Sequence, residues 1–280
     1  EVVVRLGIPR IRLDRRPVRL FFRFDRHTVR LLFGDQLLPP VLASPTARQH
    51  RLIASSEQGR SVKITVLGCG SSGGTPLIGP DGWADIDPAH PRNRRRRPSI
   101  VVETDDIQIL VDTSPDLREQ LISAEIWDID AILYTHAHAD HVNGIDDIRP
   151  LNHRMGGPIN AYGSAQTMEL LQERFAYVFE PYSIPHPQFW RPCLTPNIID
   201  GDFKLCDLEI RSFTQEHGRM TSLGFRFGNF AYSTDAKSMS EEAFGILEGI
   251  DTWIVDALGD FPHPTHSHVE QTLEWIERVQ

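Results

Sequence analysis

Short apolar and alternating runs begin at about residue 62 and continue to the end of the chain, separated by turn residues and amphipathic stretches. Alternation with a period of two indicates strands, and a period of 3.6 indicates helices. In the first half of this region, the pattern predicts strands over residues 63–67, 99–103, 107–111, 131–135 and 158–162. It predicts helices over residues 115–122, from residue 144 with a break or bend at Pro150, and over residues 164–179 with Ser164 as N-cap.

The second half repeats this alternation of strands and helices. Strands are predicted over residues 203–206, 208–213, 223–227, 230–233 and 253–255, and helices over residues 240–247 and 267–280. Gly228-Asn229 predicts a tight hairpin. Hairpin-paired strands with helices between them predict an α+β fold, a four-layer αββα sandwich of two sheets back to back. A site is then expected where the strand ends of both sheets meet.

Residues 1–61 differ from the rest in charge and in pattern. Residues 1–60 hold twelve Arg, no Lys and five acidic residues, a net charge of +7. Because the whole chain has a net charge of −9, residues 61–280 carry −16. Apolar clusters here are interrupted by Arg and keep no period for long. The favoured interpretation is a basic extension that is poorly ordered or not native to the protein, and a basic arm for nucleic acid is the alternative. Residues 62–280 are predicted to form the folded domain.

Composition limits the setting in which the chain works. No apolar run approaches the length of about 18 residues that a membrane span needs, and no segment resembles a signal peptide. A cytoplasmic protein is therefore expected, with no membrane partner. Three widely separated cysteines argue against a disulfide framework.

His136-Ala137-His138-Ala139-Asp140-His141 follows the apolar run of residues 131–134 directly. Histidine and aspartate are costly to bury unless they are hydrogen-bonded or bound to a cation. Side chains at i and i+2 of an extended chain point the same way, so His136 and His138 can converge on one ion. Asp140 and His141 then turn toward a second position close by, and the spacing therefore predicts two metal ions.

This motif resembles the metallo-β-lactamase superfamily, whose fold is an αββα sandwich. Other matching features are the glycine-rich Gly68–Gly74, Asp112 after a strand, the isolated His217 and the Ser-Thr-Asp ending at Asp235. Residues 94–101 and 265–268 are most similar to the phosphodiesterase branch, which includes phosphoribosyl cyclic phosphate phosphodiesterases and tRNase Z enzymes.

The resemblance implies a dinuclear centre and its ligands. One ion would be held by His136, His138, His217 and Asp235, and the other by Asp140, His141 and Asp235. Imidazole and carboxylate ligands suit Zn²⁺ or Mn²⁺. A water between the two ions would titrate near pH ~7 and supply hydroxide to attack phosphorus.

The resemblance also implies roles around the metals. His266 is the candidate general acid, His268 is the alternative, and Asp140 is counted with the catalytic residues as well as with the ligands. Asp112 is interpreted as orienting a ligand imidazole rather than as a ligand. The superfamily supplies one more histidine from a strand beyond the final helix. Since the chain ends at Gln280, the resemblance implies a C-terminally truncated domain with a weaker second site.

The functions of one arginine-rich segment and one glycine-rich loop are left open. The run of residues 92–97 could hold a substrate phosphate through Arg96 and Arg97, or could be a solvated charged stretch. The loop of residues 68–74 favours a tight turn over a phosphate cradle, because it has no P-loop lysine.

Three functions remain open from the sequence. The first is a dinuclear metal-dependent phosphodiesterase that uses a metal-bridging hydroxide on a small cyclic or diester phosphate. The second is a tRNA 3′-processing endonuclease. The acidic charge of residues 61–280 argues against this function, because it disfavours binding of a nucleic acid. The third is a non-catalytic metal-binding member of the same fold. A homodimer is left open.

Overall fold

A computed structural model describes residues 19–21, 50–56, 61–182 and 190–279. One seven-stranded sheet has the order β2-β3-β4-β5-β6-β7-β8. Its strands are β2 (His50–Ser55), β3 (Ser61–Gly68), β4 (Ser99–Glu103), β5 (Gln108–Val111), β6 (Ala131–Leu133), β7 (Ile159–Gly163) and β8 (Leu194–Ile198). Neighbours from β2 to β5 pair antiparallel, and neighbours from β5 to β8 pair parallel.

The second sheet has the order β1-β14-β12-β11-β10-β13, and β9 also pairs with β10. Its strands are β1 (Arg19–Phe21), β9 (Phe203–Leu205), β10 (Leu208–His217), β11 (Met220–Phe227), β12 (Phe230–Ser233), β13 (Ser238–Met239) and β14 (Thr252–Val255). The predicted hairpin at Gly228-Asn229 is confirmed, since Phe227 pairs with Phe230 and Gly228 has a positive φ of 60°.

Helices lie between and after the strands. They are α1 (Leu117–Ala124), α2 (Ala139–Val142), α3 (Arg149–Met155), α4 (Ala165–Arg174), α5 (Ala176–Phe179), α6 (Glu241–Leu247) and α7 (Val269–Val279). The predicted N-cap is confirmed, because the Ser164 hydroxyl accepts from the Thr167 amide. The helix predicted from residue 144 begins as a 3-10 helix over Ile145–Ile148, and the predicted break near Pro150 is confirmed, because the separate helix α3 begins at Arg149. Proline fits there because first-turn amides have no partner within the helix.

The first sheet shows why this sequence folds into layers. Ile100, Ile109 and Leu133 face the other sheet, where they pack with the side chains of Phe225 and Phe227. Neighbouring residues on the same strands, such as Val101, Leu110 and Ile132, face the helix layer. A fully buried side chain of this size contributes about 1.5–3 kcal/mol. A third cluster, with Trp253 and Trp275, joins the second sheet to α6 and α7. The αββα sandwich predicted from the sequence is therefore confirmed.

Two strands come from the segment that the sequence assigned to a basic extension. Strand β1 pairs parallel with β14, and β2 pairs antiparallel with β3. Leu52 and Ala54 of β2 are buried in the core between the sheets. The other parts of residues 1–61 lie largely outside the described residues, so the division at residue 61 stays a prediction. No helix among the described residues has both the length and the apolar character to span a bilayer.

Candidate metal centre

Strands of both sheets end at one edge of the sandwich, and the candidate ligands follow these ends. Strand β6 ends at Leu133 and is followed by His136 and His138, while α2 carries Asp140 and His141. From the second sheet come the last residue of β10 and a residue just after β12, which are His217 and Asp235. The guanidinium of Arg174 on α4 donates to the carbonyl of Ala137 and so fixes the chain between the first two histidines.

His136, His138, His217 and Asp235, here called the histidine-rich group, converge as predicted. His138 Nδ1 lies 3.0 Å from His136 Nε2 and 3.1 Å from His217 Nε2. Asp235 Oδ2 lies 3.6 Å from His136 Nε2 and 3.5 Å from His217 Nε2. Ligand atoms at the corners of a tetrahedral Zn²⁺ site are about 3.4 Å apart. The donor atoms therefore fit a cation of this kind.

Asp140, His141 and Asp235 form a second set, here called the acidic group. His141 Nε2 lies 3.4 Å from Asp140 Oδ2 and 3.5 Å from Asp235 Oδ1. This nitrogen is buried and makes no well-formed hydrogen bond within the described residues. A buried nitrogen of this kind is expected to have a partner. A cation between these atoms would supply one, and Asp235 then presents one oxygen to each group.

The far side of three of the four rings is held in a way that points the other nitrogen inward. His141 Nδ1 lies 2.7 Å from Asp112 Oδ2, and His217 Nδ1 donates to the backbone carbonyl of Thr265 at 2.7 Å. His136 Nδ1 lies 3.0 Å from the Thr135 hydroxyl. Metal-binding histidines are commonly oriented by such contacts. The interpretation of Asp112 as an orienting residue agrees with this geometry.

Asp112 and Asp235 both adopt left-handed backbone conformations, with φ values of 64° and 54°. Such conformations are strained for residues other than glycine, although aspartate tolerates them better than most. Asp112 also accepts from the amide and the hydroxyl of Thr135, each at 2.8 Å. Strain held in place by these contacts is a common property of functional sites.

The two groups differ in the direction in which their surroundings shift the pKa of the imidazoles. Burial lowers the pKa of the three imidazoles of the histidine-rich group, which belong to His136, His138 and His217. They therefore stay neutral, the form that binds a cation. Burial alone would also lower the pKa of His141, yet the carboxylates of Asp235 and Asp112 raise it well above its usual value. Negative charge around His141 thus calls for a proton or a cation.

His266 lies beside this centre, and His268 does not make the same contacts. The ring of His266 is 4.8 Å from the ring of His217, and its Nδ1 lies 2.7 Å from Asp256 Oδ2. His268 is half-buried just before α7, and its Nδ1 has no hydrogen-bond partner among the described residues. Sequence reasoning missed Asp256. The sequence feature that could have identified Asp256 is its position directly after the buried strand β14, at the same edge as Asp235.

Arg96 and Arg97 are held against α1. Arg96 Nη1 donates to the Glu119 carbonyl at 2.8 Å and to the Ser123 hydroxyl at 2.6 Å, and Arg97 Nε lies 3.2 Å from Asp116 Oδ2. Both guanidinium groups thus contact α1 or its N-cap residue. A contact of either group with a phosphate stays a prediction.

The Gly68–Gly74 loop turns tightly, as predicted. The Gly74 amide donates to the Ser71 carbonyl at 2.8 Å, and Gly74 has a φ of 69°. A left-handed conformation of this kind favours glycine.

The fold and this centre define a metallo-β-lactamase-like domain, and comparison with known proteins agrees. The chain belongs to the beta-lactamase superfamily, whose domain profile matches residues 108–280.

Among solved structures, the chain is similar to a diphosphatase from the PhnP family, with 35% identity and a TM-score of 0.69 over 78% of this chain and 82% of that one. It is 31% identical to an octanoyltransferase of Porphyromonas gingivalis over 78% of this chain and 44% of that protein. It is 30% identical to a ribonuclease Z of a Bradyrhizobium species over 50% of this chain and 46% of that protein. The chain therefore spans about half the length of these two curated relatives.

Proposed function

We propose that this protein is a dinuclear metal-dependent phosphodiesterase that hydrolyses a small cyclic or diester phosphate. The observation that carries the proposal is the position of Asp235, whose two oxygens face two separate groups of ligand atoms. Two cations that share a carboxylate lie about 3.5–4 Å apart, a spacing suited to phosphoryl transfer. Similarity to a diphosphatase supports the same class of reaction.

The donor set suits Zn²⁺ or Mn²⁺. It consists of imidazole nitrogens and carboxylate oxygens, and cysteine contributes to neither group. When bound, a pair of such cations supplies a water of lowered pKa as nucleophile and neutralises charge on the phosphate oxygens. The ligands His136, His141 and Asp235 are buried, so they hold their positions without competition from bulk solvent.

His266 is assigned the proton transfer to the leaving-group oxygen. Asp256 accepts from its Nδ1, which fixes the ring and stabilises its protonated form, and Nε2 then holds the proton to be delivered. The Ala236 amide donates to the same Asp256 oxygen at 3.1 Å, so the carboxylate is itself held in place next to Asp235. Asp140 would serve as a ligand of the acidic group, and it is counted with the catalytic residues for that reason.

Metal analysis combined with turnover tests this proposal directly. We expect about two equivalents of Zn²⁺ or Mn²⁺ by elemental analysis, and metal-dependent hydrolysis of bis(p-nitrophenyl) phosphate that chelator abolishes. Metal binding without any turnover of this ester or of cyclic phosphodiesters would instead assign the chain to a non-catalytic metal-binding role.

The role of His266 predicts a dependence on the leaving group. p-Nitrophenolate leaves without a proton, whereas an alkoxide needs one, so His266→Ala should lower kcat for an alkyl phosphodiester about 10²–10⁴-fold and affect the p-nitrophenyl ester far less. His268→Asn provides the matched comparison from the same segment. Equal losses for both esters in His266→Ala, or a larger loss in His268→Asn, would contradict the assignment.

A tRNA 3′-processing activity is the second candidate, because ribonuclease Z proteins are among the relatives. The net charge of −16 over residues 61–280 works against attraction of a polyanion. Cleavage of a precursor tRNA at its 3′ end, at rates above those for small diesters, would favour this function over the first.

A further inference from the structure

His263 lies next to His266 in the segment between β14 and α7. The ring centres of these two histidines are 5.3 Å apart, and the ring of His266 is 4.8 Å from that of His217. The side chain of His217 is 2% exposed and that of His266 is 12% exposed, while His263 is half-buried. A chain of ring contacts therefore runs from the candidate metal centre to the partly exposed His263, which the proposed reaction does not use.

The backbone around His263 has little freedom. Pro262 and Pro264 flank the residue, and proline restricts its own φ as well as the conformation of the residue before it. At the base of the segment, the Leu258 amide donates to the Ser267 carbonyl at 3.0 Å. The chain thus presents the imidazole of His263 from a closed turn.

A backbone amide fixes the tautomer of His263. The Thr265 amide donates to His263 Nδ1 at 3.3 Å, and the Thr265 hydroxyl lies 3.2 Å from the same nitrogen. A ring nitrogen that accepts from an amide carries no proton, and burial lowers the pKa of this imidazole, so its single proton is on Nε2. No hydrogen bond within the described residues involves Nε2. His263 therefore offers one neutral donor at the end of the ring opposite to the turn.

The position of this donor relates it to the leaving group. His266 is assigned the proton transfer to the leaving-group oxygen, and the ring of His263 is its neighbour at 5.3 Å. Donors on two rings at this separation can reach two oxygens of one small molecule, each at about 2.7–3.2 Å. A neutral donor suits a hydroxyl or ether oxygen. The matching leaving group is an alcohol that carries a second oxygen close to the ester bond, as polyols and sugars do.

We infer that His263 binds the leaving group of the substrate by donating its Nε2–H to an oxygen close to the ester bond that is broken. The inference rests on the proposed phosphodiesterase activity, because it names the substrate class of the same site. That class is a phosphodiester of a polyol or a sugar.

An ester with two different alcohols tests the contact by internal competition. The metal-loaded full chain is given 2-methoxyethyl butyl phosphate, whose two alkyl groups have the same length but only one ether oxygen. The ratio of released 2-methoxyethanol to butanol, measured by gas chromatography, equals the ratio of the two kcat/KM values. His263→Asn should lower this ratio about fivefold, the loss of one neutral hydrogen bond.

The choice of variants separates the donor from the turn. Asparagine keeps an acceptor for the Thr265 amide but lacks the outer donor, whereas His263→Gln keeps a donor near the position of Nε2 and should retain most of the ratio. His90→Asn is the matched control, because the exposed His90 accepts through Nδ1 from the Arg92 amide in the same way. An unchanged ratio in His263→Asn, a larger loss in His263→Gln, or an equal loss in His90→Asn would overturn the inference.

Binding decides the contact when neither alcohol is released, a result that would count against the phosphodiesterase proposal. Dissociation constants of bis(2-methoxyethyl) phosphate and dibutyl phosphate are then measured on the zinc-loaded chain by NMR titration of the imidazole signals. His263→Asn should shift the ratio of these constants about fivefold toward dibutyl phosphate. An unchanged ratio, or no binding of either ester, would overturn the contact. Thermal melting of each variant separates lost binding from lost folding.

Discussion

The histidine-rich group and the acidic group share Asp235 but are built differently. The histidine-rich group collects side chains from the ends of strands in both sheets, which meet only in the folded sandwich. Apart from Asp235, the acidic group takes its ligands from two consecutive residues of α2. One group therefore depends on how the two sheets meet, and the other depends mainly on a local turn.

The supports of the two groups differ as well. In the histidine-rich group, His217 is oriented by a backbone carbonyl, which no substitution of Thr265 removes. In the acidic group, His141 is oriented by the carboxylate of Asp112. Nitrogen-rich sites favour Zn²⁺, while sites richer in carboxylate also accept Mn²⁺. Because the two groups differ in their ligands and in the contacts that orient them, we expect that a cation can be removed from or added to one position without the other.

Asp235→Asn should have the largest effect, because it removes the charged ligand that both groups share. We expect kcat/KM on bis(p-nitrophenyl) phosphate to fall by about 10³-fold or more and metal content to fall below one equivalent. The measurements are elemental analysis after dialysis and steady-state kinetics. Asp202→Asn is the control, since Asp202 is a surface residue paired with Arg211. Two retained equivalents in Asp235→Asn would contradict the assignment of Asp235 as the ligand that both groups share.

A comparison of His217→Ala with His141→Ala distinguishes the groups. His217→Ala should lose the ion of the histidine-rich group, whereas His141→Ala should keep it and lose the other. An ion at 100 times its Kd stabilises a fold by about 2.7 kcal/mol, which raises Tm by roughly 5–10 °C in a domain of this size. We expect the metal-induced rise in Tm to fall more in His217→Ala than in His141→Ala, because the histidine-rich group takes two of its four ligands from the second sheet and the acidic group takes one of three.

Melting curves with and without chelator, together with metal content, provide the readout for both variants. The unmodified chain and each variant are compared in their metal-free forms first, so that loss of the side chain itself is not counted as loss of the ion. Equal losses of the metal-induced shift in the two variants would contradict the expectation that the histidine-rich group contributes more to joining the sheets.

The sequence was sufficient for the fold and for the four side chains of the local motif because both are recorded in local patterns. The pattern along residues 99–103 and 107–111 predicted two short strands, and both are present. The spacing of His136, His138, Asp140 and His141 predicted two positions for cations, and these side chains do face two groups. For the distant ligands His217 and Asp235, the family resemblance was needed, because no local spacing connects them to the motif.

Contacts between distant segments could not be predicted in this way. Asp256 lies ten residues before His266, and only the pairing of β14 with β12 brings it to the correct edge. From the sequence, the guanidinium groups of Arg96 and Arg97 were expected to contact a phosphate or solvent. In the structure they instead contact a carboxylate, a hydroxyl and a carbonyl of α1 and its N-cap. The direction of such long side chains depends on the neighbouring helix rather than on their own spacing.

Asp112→Asn should have the smallest effect of the substitutions at the centre, and it should act on one group only. Asparagine keeps the shape but removes the charge that orients His141, so the affinity of the acidic group for its cation should fall about 10–100-fold. The histidine-rich group should be unaffected, because its rings are held by Thr135 and by the Thr265 carbonyl. Titration of the metal-free protein with Zn²⁺ or Mn²⁺ should show two binding steps. Only the weaker step, which belongs to the acidic group, should change. If both steps weaken equally, Asp112 supports the whole strand edge through its contacts with Thr135 rather than a single imidazole.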